Sequence, residues 1–154
     1  IRTTANVIRT GETKEVTLFL RNDPRKLRNI PVEGKIEYLP IENFIYITLD
    51  SSKGILCEYS LVAMHELSSF LNQNGYAVKS GASDEVIARE QNLTHITCEN
   101  RPDRMVISYT SGDSPSIVRK GNCYTITVAN CDILAPTEKF IIQSILDAKS
   151  ETIS

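Results

Sequence analysis

Four cysteines, Cys57, Cys98, Cys123 and Cys131, stand so far apart along the 154 residues that they restrict what the chain can fold into. Zinc sites bring ligands in close pairs such as C-x2-C, because two ligands on one turn converge on one ion. No such pair exists here, since successive cysteines are 41, 25 and 8 positions apart. Neither a metal nor a cofactor is expected. An even number of cysteines suits disulfides instead, and four allow three pairings. Cys123 opens the run Cys-Tyr-Thr-Ile-Thr-Val-Ala-Asn and Cys131 follows its end. As one extended strand this run spans about 26 Å at ~3.3 Å per residue. Bonded cysteines need Cα atoms within about 7 Å. A 123–131 bond is therefore excluded unless the chain folds back, and the other pairings stay open.

Strand alternation separates disulfides from reduced core cysteines. Tyr124, Ile126 and Val128 share the apolar face, which leaves Cys123 on the face of Thr125 and Thr127. A reduced buried cysteine belongs more naturally on the apolar face. A catalytic cysteine needs a lowered pKa, and Cys57 ahead of a helix carrying His65 is a thin basis for one. Paired cysteines place a chain outside the cytosol, or in a hyperthermophile. The triplet Asn92-Leu93-Thr94 is an N-glycosylation sequon and leans the same way.

The length suits one domain with one proper core, over residues 1–154, with a β-rich portion to residue 50 and a mixed portion after it. A composition 41% hydrophobic and 23% charged argues against disorder. The mean hydropathy is -0.17, and no apolar run approaches the ~18 residues that span a bilayer. Any membrane attachment would come through an anchor outside this chain. The formal net charge is -2, and the basic residues form only small groups at Arg25, Lys26 and Arg28, at Arg101 and Arg104, and at Arg119 and Lys120. A nucleic-acid binder carries a basic stripe or excess, so that class is disfavoured. The sequence starts at Ile1 with no signal-like segment, which fits a cleaved signal, an omitted anchor or a removed tag.

Hydrophobic periodicity predicts the elements. Val16, Leu18 and Leu20 alternate with Glu15, Thr17 and Arg21 as a half-buried strand, preceded by a shorter strand at 5–8 and the turn Arg9-Thr10-Gly11-Glu12. Residues 22–34, with Pro24 and Pro31, read as a loop. Ile36 and Tyr38 suggest another strand ending at Pro40. Phe44–Leu49, apolar on both faces, reads as a central covered strand. Ser60 is a candidate N-cap for a helix with Ala63, Met64, Leu67, Phe70 and Leu71 on one stripe, stopped by Asn74-Gly75. A short strand at 76–79 follows, then a brief helix capped by Ser83. Strands are expected at 94–98, 105–110, 116–119 and 123–129, the last two joined as a hairpin by Lys120-Gly121-Asn122. Pro136 opens a final helix with Phe140, Ile141, Ile145 and Leu146 inside.

No residue group carries a catalytic signature. His65-Glu66 begins a zinc-protease motif, but position 69 is Ser where the second His must stand. Both His65 and His95 read as surface residues. Gly112-Asp113-Ser114 lies between two strands, whereas a nucleophile elbow needs strand–turn–helix. Phosphate-binding glycine loops are absent, and Asp84-Glu85 suits a helix start. Phe19 falls on the polar face of its strand and is the candidate for an interaction surface.

The segment Gly11-Glu12-Thr13-Lys14-Glu15-Val16-Thr17-Leu18-Phe19-Leu20-Arg21-Asn22, continuing through Pro31-Val32-Glu33-Gly34-Lys35-Ile36-Glu37-Tyr38-Leu39-Pro40, resembles the first strands of immunoglobulin-like modules in prokaryotic surface proteins. Those read Gly-x-x-x-x-Val-Thr-hydrophobic-x-Val-x-Asn before a strand closing in Pro, and Leu20 stands where the second Val would be. The resemblance is confined to residues 11–40 and implies an extracytoplasmic setting. The expected fold is α+β, with a mixed or antiparallel sheet, two main helices and an immunoglobulin-like N-terminal segment. A three-layer α/β arrangement is the alternative. The expected role is non-enzymatic: an extracytoplasmic domain that binds a protein partner or assembles with itself. Two alternatives remain. One is a small cytosolic α/β enzyme or nucleotide-responsive domain with its site near Asp50–Ser52 and Ser111–Ser114. The other is a filament or lattice subunit whose N-terminal strand pairs with a neighbour's sheet edge.

Overall fold

The computed structural model describes residues 2–9, 12–39, 44–49 and 57–153, with side chains for 20–39, 44–49 and 57–148. In chain order the elements are β1 (Arg2–Arg9), β2 (Glu12–Phe19), a 3-10 turn (Pro24–Leu27), β3 (Val32–Glu33), β4 (Phe44–Leu49), α1 (Ser60–Gln73), β5 (Ala77–Ala82), α2 (Glu85–Glu90), β6 (Thr94–His95), β7 (Val106–Ser111), β8 (Ser116–Lys120), β9 (Cys123–Val128) and α3 (Leu134–Ile153). The fold is α+β: three helices accompany a seven-stranded mixed sheet of order β3-β8-β9-β7-β4-β5-β6. From β6 through β5, β4 and β7 to β9 the pairing is parallel. Only β8 runs against β9, closing the hairpin at Gly121, whose φ of +63° is the left-handed turn the sequence implied.

Alternation divides the sheet into two unlike faces. Ile45, Ile47, Ile107, Tyr109, Tyr124, Ile126 and Val128 point to one side and form the main core with Ala63, Leu67, Phe70 and Leu71 of α1 and Phe140, Ile141 and Ile145 of α3. All seven of these helix side chains are already spaced for a helical stripe in the sequence, so the two long helices pack where periodicity put them. Leu146 is the exception among the expected core residues, at 51% exposed. It falls one position past the stripe and turns to solvent. Ser60 is the first helical residue and not the cap; Tyr59 is the cap, and the Ser60 hydroxyl accepts from the Cys57 N–H at 2.9 Å. Likewise Asp84, not Ser83, caps α2, its carboxylate accepting from the N–H groups of Val86 and Ile87.

The strand expected through Ile36 and Tyr38 does not form. Residues 35–39 are an irregular strap whose backbone is held by side chains where a ladder would be. Asp147 accepts from Ile36 N–H at 2.8 Å. The Tyr124 hydroxyl accepts from Glu37 N–H and donates to its carbonyl, both at 3.0 Å. Tyr76 donates to the Leu39 carbonyl at 3.0 Å and Arg119 to that of Lys35 at 2.8 Å. The pattern Ile36-x-Tyr38 still buries Ile36, which is why alternation alone read as a strand.

β1 and β2 pair over eight residues as a separate two-stranded ribbon, lying beside α3 and α1 respectively. The immunoglobulin-like arrangement is not confirmed, because only Val32–Glu33 of the resembling segment joins the large sheet. Nor, among the described residues, does a second helical layer form: the sheet's other face is covered in part by residues 96–105. Ile96 packs there with Val106 and Cys123, and Cys98 joins them. Gly81 is what lets that chain cross, since a Cβ on it would stand 2.5 Å from the Ile96 side chain and 2.9 Å from the Thr94 carbonyl oxygen.

Where β2 ends, the chain is anchored by a buried carboxylate. Glu138 of α3 is fully buried and accepts from Arg21 N–H, Asn22 N–H and the Asn22 side-chain amide, with contacts from 2.9 to 3.3 Å. Burial pushes its carboxyl up, and those hydrogen bonds oppose the shift. Glu66 of α1 faces it with neither oxygen hydrogen-bonded among the described residues, and Arg21 reaches no closer than 4.0 Å. Burial, reinforced by the Glu138 charge, raises Glu66 from the ordinary 4.5 to about 7. Because the folded chain holds this proton more tightly than the unfolded one, its stabilising contribution is full below the ordinary carboxyl value and is lost as pH rises through about 7. Unfolding titrations between about pH 5 and pH 8 should show stability falling by roughly 2–3 kcal/mol. In Glu66→Gln that slope should flatten. An unchanged slope in the variant rules out Glu66 as its source.

Candidate interaction surface

The second face of the sheet takes its character from short hydroxyl side chains at alternate positions. Threonine is favoured in strands for its β-branch, and every second residue projects to this side. On β4 these are Phe44, Tyr46 and Thr48; on β7 Val106, Ser108 and Thr110; on β9 Cys123, Thr125 and Thr127; on β8 Ser116 and Val118. Pairing aligns them in rows. Thr48 lies opposite Ser108, Ser108 opposite Thr125, and Thr125 opposite Val118. The next row runs Thr110, Thr127, Ser116. Neighbouring strands are about 4.8 Å apart, so the hydroxyls form a grid that follows the twist of the sheet.

The half of this face nearest the strand starts is covered. The Cys98–Cys123 disulfide, with Cα atoms 5.4 Å apart, ties residues 96–105 down onto β9. Arg104 and Lys79 both stack on Phe44, with Cζ at 4.6 Å and Nζ at 3.7 Å from the ring centroid. Arg101 approaches Tyr46 at 5.9 Å, and the two rings meet edge to face at 5.3 Å. Cations over aromatic faces help hold this cover. Asn100 secures the turn itself, exchanging hydrogen bonds with Thr97 and donating to the His95 carbonyl.

Toward the strand ends the face is less covered among the described residues, except at Thr48. Thr48 is buried and donates to Ser108 at 3.3 Å. Thr110, Ser116, Thr125 and Thr127 are half-buried, and their hydroxyls make no hydrogen bond to the protein among the described residues. Such a grid offers donors and acceptors at neutral charge beside threonine methyl groups. Its threonine and serine hydroxyls can each donate and accept a hydrogen bond. The carboxyls shifted by burial, Glu66 and Glu138, lie on the other side of the sheet under α1 and α3.

The four cysteines are all bonded, as Cys57–Cys131 and Cys98–Cys123. Two disulfides mark an oxidising, extracytoplasmic setting. Cys123 does sit on the Thr125 and Thr127 face, and the 123–131 pairing does not occur. Asn92 of the sequon is exposed in the turn after α2, with φ +53°. His65 is exposed on α1, and His95 places Nε2 3.1 Å from the Ser83 carbonyl oxygen. The Phe19 side chain lies outside the described residues, as does 50–52. Gly112-Asp113-Ser114 is the exposed turn between β7 and β8, and Gly112 donates to the Val128 carbonyl across the end of β9. Among the described residues no three metal-ligating side chains converge. The residues missed by sequence reasoning are Thr48, Ser108, Thr110 and Ser116. Their signal was the same period-two hydroxyl pattern that marked Thr125 and Thr127, but strand order was needed to join them.

Set against protein families, curated proteins and solved structures, the chain matches none of them.

Proposed function

We propose that this chain is an extracytoplasmic, non-enzymatic domain that binds a protein partner through the hydroxyl-bearing face of its sheet. The observation that carries the reading is that face. Mostly parallel sheets are ordinarily covered on both sides, and here only the helix-bearing side is fully covered among the described residues. An uncharged surface of threonine and serine fits a protein surface better than the alternatives. It lacks the exposed rings on which sugars stack and the basic stripe that nucleic acid needs. The two disulfides support the compartment.

Face-on docking also suits this sheet better than strand addition. Its terminal strands, β3 and β6, have two residues each, and such short edges offer a neighbour almost no ladder. A filament built on the large sheet's edges is thereby disfavoured.

The test is a photo-crosslinking amino acid placed at Ser116, in the cell that makes the protein. It should capture one protein partner, whereas the same probe at His65, exposed on α1 of the other side, should not. Adding Thr110→Lys with Thr127→Glu, a directly opposed pair of unlike charges, should cut capture by about ten-fold, equivalent to about 1.4 kcal/mol, with the melting temperature little changed. Sedimentation of the isolated chain distinguishes self-assembly from a different partner. Equal capture at Ser116 and His65, or none at either, retires the reading.

A further inference from the structure

On the helix-bearing side, at the carboxyl ends of β4 and β5, α1 and α2 flank a cleft of about 250 Å³ that opens to solvent past the exposed Ser80, Gln91 and Leu93. Its walls are aliphatic: Ile47 and Leu49 of β4, Val78 of β5, Met64 of α1, Ile87 of α2 and Leu93 beyond it. Aliphatic walls offer water few polar partners, so water in the cleft is readily displaced by an apolar molecule. Three polar side chains touch this one, those of Ser68, Ser80 and Gln91. None of the three has a hydrogen-bond partner in the protein among the described residues. Among the described residues no charged side chain lines it. An ionised group entering would lose its hydration with no opposite charge to replace it.

We propose that this cleft binds a small, uncharged, mainly aliphatic molecule with one hydrogen-bonding end, of the alcohol, ketone or primary amide class. At about 30 Å³ for each water-sized group, the volume holds roughly eight non-hydrogen atoms. The aliphatic tail replaces missing packing against Ile47, Val78 and Ile87. The polar end meets Ser68, Ser80 or the Gln91 amide, which can both donate and accept. The position obeys the general preference of open sheets with parallel strands for ligands at strand carboxyl ends. It lies across the sheet from the hydroxyl grid, so its success or failure is independent of the interaction proposed above.

The experiment titrates the whole disulfide-bonded chain with 1-hexanol, following methyl resonances by NMR. Saturable shifts confined to Ile47, Val78, Ile87 and Leu93 are expected, with hexanoate at pH 8 binding at least about ten-fold more weakly. Ala82→Leu, which fills the cleft from β5, should abolish hexanol binding. Met64→Ala, which enlarges it, should raise the affinity of 1-octanol relative to 1-hexanol by about ten-fold. Non-saturable shifts, shifts spread over the surface, or equal affinity for hexanoate overturn the proposal. Unchanged hexanol binding in Ala82→Leu does the same. If that variant does not fold, an unchanged octanol-to-hexanol ratio in Met64→Ala overturns it alone.

Discussion

Replacing Cys57 and Cys131 together by alanine should lower the unfolding free energy by about 4 kcal/mol. The bond closes a separation of 74 residues, with Cα atoms 5.4 Å apart. In the chain-entropy account, most of that stabilisation comes from removing extended conformations of the unfolded state. The native geometry adds a second reason. Cys131 and its neighbour Asn130 both adopt left-handed backbone, at φ +58° and +53°, a conformation that costs a non-glycine residue of order 1 kcal/mol. The disulfide and the bridge between Ala129 and Asp132 hold that turn in place. Thermal melts should drop by roughly 8–16 °C. Removing Cys98 and Cys123 should cost somewhat less, about 3 kcal/mol, because its separation is 25 residues and the entropy grows only logarithmically. A loss below about 1 kcal/mol for the first pair would show that the unfolded chain is already restricted there.

Glu138→Ala should cost about 3–5 kcal/mol, an effect out of proportion to one side chain. Truncation leaves two backbone N–H groups, of Arg21 and Asn22, and the Asn22 amide without their acceptor in a partly buried place. It also frees the point where the β1–β2 ribbon joins the rest of the chain. A two-stranded ribbon is marginal on its own, so its amides should exchange faster in this variant than those of β4 or β7. Glu138→Gln keeps one oxygen for the same donors and should lose about half as much. Glu66→Gln acts in the opposite direction above pH 7, since it removes an unpaired buried charge beside the first. Denaturant titration of the three variants checks the set. A Glu138→Ala protein within about 1 kcal/mol of wild type, with the Arg21 and Asn22 amides still protected, would falsify the anchoring role.

Local periodicity made β4, β9, α1 and α3 legible, because each has enough residues for a two-fold or 3.6-fold pattern to repeat. Gly121 and Gly75 marked a hairpin and a helix end by chemistry that depends on one residue's backbone, at φ +63° and +86°. Elements decided by fewer residues were misread. The strand at 36–38 is a strap because Tyr124, Asp147 and Tyr76, far away in sequence, supply its hydrogen bonds. The strand expected over 94–98 stops at His95, because Ile96 turns over Gly81 onto the second face.

By itself the sequence determined that the cysteines lack zinc-site spacing, that 123–131 was too long a strand to be bridged, and that Cys123 would share a face with Thr125 and Thr127, while paired and reduced cysteines both stayed open. These follow from spacing within one element, where the backbone converts residue number directly into distance and side. Tertiary structure alone decided which cysteines meet, that the Thr48, Ser108, Thr110, Thr125, Thr127 and Ser116 side chains share one face of the sheet, and that Glu66 faces Glu138. Each of those depends on strand order and on the packing of α1 against α3. Such arrangements are set by the summed burial of the whole core, and no local stretch of residues encodes them.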